Sequence, residues 1–86
     1  MKYELDKVKE EGFKLGYKIG KTIKMLRKKI NLTQDDLATS TGLSVQAIVN
    51  IETGSAIATV PTLFLFANAF NISLSKLISI CETNEV

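Results

Sequence analysis

The sequence predicts an all-α fold of five helices, the first of them extended towards the N-terminus. Two observations carry this. Apolar residues recur at helical spacing along the chain, while no strand-like alternation of useful length appears. Residues that cap helices also repeat ahead of the apolar stripes. At 86 residues and 9.5 kDa the chain has room for one small domain.

The first helix is read from Ile19, Ile23, Leu26 and Ile30, one apolar stripe on a helix whose other faces are lysine, and Asn31 ends it. Upstream, Leu5, Val8 and Leu15 continue a heptad-like spacing, and Glu10 with Lys14 makes a favourable i, i+4 pair. Gly12, Gly16 and Gly20 each cost roughly 1 kcal/mol of helix propensity against alanine. At i, i+4, i+8 they form one smooth strip, which suits either a close helix contact or a marginal, partly disordered arm. The second reading is favoured. The expected division is an N-terminal arm or helical extension at 1–15, a folded domain at 16–80 and a tail at 81–86, frayed from Glu82.

Thr33-Gln34-Asp35-Asp36 reads as the start of the second helix, with the Thr33 hydroxyl capping and Asp36 reaching back. Leu37 and Ala38 face inward, and Gly42 closes the helix in the left-handed conformation. Ser44 caps the third helix, Ile48 and Ile51 anchor it, and Gly54 stops it. Thr59 caps the fourth, where Pro61 is tolerated in the first turn, and Leu63, Phe66, Ala67 and Phe70 make its inward face. Ser73 caps the fifth, with Leu74, Leu77 and Ile78 packing back.

Composition excludes several classes. No apolar run approaches the roughly 18 residues of a membrane span, and Met1 to Glu11 lacks the apolar centre of a signal peptide. The lone Cys81 rules out an internal disulfide and fits a reducing cytoplasm. Without histidine there is no Ser-His or Cys-His pair, and one thiol with scattered carboxylates makes no tetrahedral zinc set. No enzyme, cofactor or metal is expected. Charge is more telling. Residues 1–30 carry ten of the eleven basic residues against four acids, and from Lys14 to Lys29 there is no acid at all. Residues 31–86 carry one base against five acids. Such asymmetry suits a polyanion touched from one end, or a solvated lysine face.

The stretch from Thr33 to Gly54 is a short helix, a tight turn at Gly42 and a second short helix, a helix-turn-helix. Its projecting face, Ser44, Val45, Gln46, Ala47, Val49 and Asn50, belongs to a helix about 10 Å across, which fits the major groove of B-DNA. From Ile19 to Ile78 the chain resembles the lambda-repressor-like (Cro/Xre) DNA-binding domain. The matching positions include Ile19-Gly20, Ile23, Leu26-Arg27, Leu32-Thr33-Gln34, Leu37-Ala38, Gly42, Ser44, Ile48, Ile51-Glu52 and Gly54. They continue through Leu63, Ala67, Phe70, Ile72-Ser73-Leu74 and Leu77-Ile78.

The resemblance implies a sequence-specific transcriptional regulator of prokaryotic or phage type, a repressor, that places helix 44–52 in the groove of double-stranded DNA as a homodimer. It further implies that Arg27 pairs with Glu52, that Gln34 meets a phosphate at the start of the second helix, and that Ser44, Val45, Gln46 and Asn50 face bases. Gln46 and Asn50 each suit adenine, and Val45 a thymine methyl. The expected DNA-binding residues are Thr33, Gln34, Ser44, Val45, Gln46, Ala47, Asn50 and Ser55. Phe64, Leu65, Ile80 and Cys81 are surplus apolar surface for the homodimer. The alternative is a protein-interaction module on the same fold, such as an antitoxin whose arm holds a toxin. The chain also departs from the pattern. The loop Ser55 to Ala58, which often carries lysine or arginine, has neither, the usual proline near Ala58 is missing, and Val49 and Ile57 are apolar where solvent or phosphate is expected.

Overall fold

The computed structural model describes residues 2–83, and its elements are five helices: α1 Lys2–Lys29, α2 Gln34–Thr41, α3 Val45–Thr53, α4 Val60–Ala69 and α5 Leu74–Thr83. No strand occurs among the described residues. α1 packs on α3 and α5, α2 on α3 and α4, and α4 on α5, closing a ring of contacts around one core. Ile23, Leu37, Ile48, Phe66 and Leu77 are fully buried in it. Phe70 stacks on Phe66 with ring centres 6.4 Å apart.

Local chemistry sets each boundary. The Thr33 hydroxyl accepts from the Asp36 N–H at 3.0 Å while the Thr33 N–H donates to the Asp36 carboxylate at 2.9 Å, a complete capping box. Those bonds hold the Asp36 carboxyl below the usual carboxylate range. The hydroxyls of Ser44, Thr59 and Ser73 accept from the N–H groups of Ala47, Thr62 and Lys76. Gly42 and Gly54 end α2 and α3 at φ 77° and 84°, and Asn31 and Asn71 take the same left-handed turn after α1 and α4.

Four expectations require correction. α1 is one unbroken helix from Lys2, so of the two readings of the N-terminal segment the helical extension holds and the favoured, partly disordered arm does not. Ile30 is not on the buried stripe: α1 ends at Lys29, and the turn at Asn31 leaves Ile30 half exposed. Glu82 and Thr83, expected to fray, are the last residues of α5; positions 84–86 lie outside the described residues. Cys81 is fully buried rather than surplus surface, packed from α5 towards Thr22 of α1. Burial pushes its thiol up, so it stays a protonated, apolar core group. Of the other three apolar residues set aside for a dimer, Phe64 is exposed, and Leu65 and Ile80 are partly buried.

The glycine strip divides by position. A Cβ at Gly20 would overlap the carbonyl oxygen of Ile51, so only glycine lets α1 come this close to the end of α3. At Gly12 an added methyl meets nothing within 4 Å. Gly12→Ala is therefore expected to stabilise the protein by up to about 1 kcal/mol through propensity. Gly20→Ala is expected to destabilise it by about 1–3 kcal/mol through forced separation of two backbones. Urea unfolding of both variants checks this, and stabilisation by both would show that α1 and α3 do not meet there.

Candidate nucleic-acid interface

α2, the turn at Gly42 and α3 place a short helix on the surface with one side fixed in the core. Ile48 and Ile51 hold that side, and Ala38 is small enough to let α3 cross α2 closely. The end of α3 is fixed by charge as well. Arg27 of α1 donates from Nε to Glu52 Oε2 at 2.7 Å and from Nη2 to Glu52 Oε1 at 3.0 Å, a two-pronged pair with both side chains buried. The remaining prong, Nη1, donates to the Leu32 carbonyl at 2.9 Å. The hydrogen bonds to Glu52 raise the Arg27 pKa further, so the guanidinium keeps its charge.

Gln34, at the start of α2, donates from Nε2 to Glu52 Oε1 at 3.1 Å. Its side chain thereby ties α2 into the same network, and one of its amide protons is committed. The first N–H groups of α2 lie in the turn where helices lack internal acceptors, which favours an anion there. The Thr33 hydroxyl is occupied as a cap.

On the free side of α3, Ser44, Val45 and Gln46 are exposed, and Ala47, Val49 and Asn50 are half-buried. Gln46 Nε2 donates to Asn50 Oδ1 at 2.9 Å, joining the two amides one helical turn apart. That leaves the Gln46 oxygen, its second amide proton and the whole Asn50 NH2 uncommitted, the donor and acceptor set that matches a base edge in the major groove. Ser55 is exposed after the helix, 3.2 Å from the Thr53 hydroxyl. Of the eight residues expected to meet DNA, seven are gathered on α3 and the two helix starts, while Ser55 stands beyond the far end. The i, i+4 spacing of Gln46 and Asn50 carried the signal for their bond. The Gln34–Glu52 link had no sequence signal, since 18 residues separate the partners.

A DNA-binding helix-turn-helix domain is the class that this fold and this face define. The helix-turn-helix family, of the lambda-repressor-like type, matches residues 23–77, and the chain belongs to it. Among solved structures it is similar to the restriction-modification controller protein C.AhdI from Aeromonas hydrophila, at 26% identity and a TM-score of 0.67. The match covers 71% of this chain and 92% of that one. No curated protein sequence gives a match. Among the described residues no single helix is long and apolar enough to cross a membrane, and no group of acidic, thiol or imidazole side chains is placed to hold a metal.

Proposed function

We propose that this protein is a sequence-specific transcriptional regulator, a repressor acting in the cytoplasm, that inserts α3 into the major groove of operator DNA as a homodimer. The observation that carries the reading is the Gln46–Asn50 pair. Two amides sit on the free side of a helix whose other side is fixed by Ile48, Ile51 and the Arg27–Glu52 bond, and among the described residues their only side-chain bond is to each other. The likeness to a restriction-modification controller protein supports a regulatory role. The exposed Phe64, beside a partly buried Leu65, supports a contact between two copies.

Repeated selection from a pool of random duplexes tests the reading. The expected outcome is one enriched sequence with two-fold related half-sites about 10 base pairs apart. Sedimentation at micromolar concentration is expected to show a dimer, and a 9.5 kDa species alone would remove the basis for paired half-sites. A second reading, a module that binds a protein partner through α1, is favoured by the exposure of Leu5, Val8 and Phe13 on the helical extension. It predicts no enrichment and no retention on heparin or random duplex at low salt.

A further inference from the structure

The positive charge that the loop after α3 lacks is gathered on α1. Between Asn31 and Ser75 there is no basic residue. The loop packs against α1 instead. The Tyr17 ring covers Gly54, where a Cβ would meet it at 3.0 Å, and the Ile57 side chain lies 3.7 Å from the place of a Cβ at Gly16. This contact accounts for an apolar residue at position 57. The Lys21 ammonium sits over Tyr17, 4.9 Å from the ring centre, a cation–π contact that holds the charge near the loop.

An open groove of about 600 Å³ then runs between α1 and the end of α3, lined by Tyr17, Lys21, Lys24, Met25, Lys28, Glu52 and Thr53. The Glu52 carboxylate is taken by Arg27 and Gln34. Among the described residues none of the three lysines forms an ion pair. They stand at i, i+3 and i+7, a run of roughly 10 Å along the helix. That is long enough for more than one phosphate, at about 3.4 Å of duplex axis per charge on each strand.

We infer that this groove is a phosphate track: with α3 in the major groove, Lys21, Lys24 and Lys28 take the DNA backbone that borders the end of α3, replacing the cations its own loop lacks. The inference rests on the DNA-binding reading and deepens it, assigning the non-specific part of the affinity to α1.

The test measures the salt dependence of binding to a duplex selected by the wild-type protein, between about 50 and 200 mM salt. Three proteins are compared: wild type, Lys21→Gln/Lys24→Gln/Lys28→Gln, and the charge-matched Lys7→Gln/Lys9→Gln/Lys76→Gln, altered at exposed positions outside the groove. Each phosphate contact contributes roughly 0.9 to the log–log slope. The groove variant is expected to flatten the slope by about 2–3 per protomer, and the distant variant by less than about 1. Equal flattening by both sets would overturn the inference, because long-range charge alone would then explain it. If wild type binds the selected duplex and the groove variant keeps its slope, the inference alone fails. If wild type retains no duplex, the DNA-binding reading fails and takes the inference with it. Loss of poly-glutamate binding with an unchanged DNA slope would assign the groove to an acidic protein and also overturn it.

Discussion

Glu52→Gln is expected to lower the melting temperature by at least about 12 °C. The substitution keeps the shape of the side chain and removes only its charge, leaving the Arg27 guanidinium buried without a counter-ion. Breaking one partner of a buried pair costs about 3–5 kcal/mol, and a domain of this size loses roughly 4–8 °C per kcal/mol. The pair is buried on both sides, which keeps solvent screening small. The loss is larger than one contact because Glu52 also accepts from Gln34, so its charge holds α1, α2 and α3 together. Replacing both partners by apolar residues, Arg27→Met with Glu52→Leu, is expected to recover much of the loss, since no unpaired charge then remains. Circular-dichroism melts of the single and double variants, with Lys9→Gln as a surface control, check this. A Glu52→Gln melt within about 2 °C of wild type would refute the bridge as a stabilising element.

The parts of this fold that are legible in sequence are those settled within a turn or two of chain. The Thr33–Asp36 capping box, the caps at Ser44, Thr59 and Ser73, and the left-handed glycines at 42 and 54 all involve partners within four residues. What fails is decided by a distant partner. Gly12, Gly16 and Gly20 look alike along the chain, yet only Gly20 meets the backbone of α3, and only the fold shows which one. Cys81 reads as spare apolar surface at a helix end, but α5 lies along α1, and the extra turn is covered by the neighbourhood of Thr22. The Arg27–Glu52 pair spans 25 residues, and it was foreseen through family resemblance rather than spacing. The residues on the free side of α3 lie between these cases: capping at Ser44 fixes which positions open the helix, and the i, i+4 spacing of Gln46 and Asn50 allows the bond that the built helix then forms.

That bond shapes what is expected of Gln46→Ala. Gln46 lies in the first turn after the Ser44 cap, the part of a recognition helix that reaches base edges. Its bond to Asn50 narrows the rotamers of both amides before DNA arrives, so less freedom is lost on binding. An amide that pairs in two places with adenine contributes about 1–3 kcal/mol of discrimination, which is roughly 5- to 150-fold per half-site. A two-fold dimer loses that contact twice, making this the largest expected effect on binding. Asn50→Ala is expected to cost a similar amount, and the double variant less than the sum of the two, because each single change already releases the other amide. Affinity for a random duplex is expected to stay within about two-fold, since phosphate contacts carry that part and neither amide supplies charge. Fluorescence anisotropy on a selected and a scrambled duplex measures both numbers for each variant. Equal losses on the two duplexes would mean that Gln46 supports α3 without reading bases. The sequence preference would then have to come from Val45, from Asn50 alone or from the shape of the DNA.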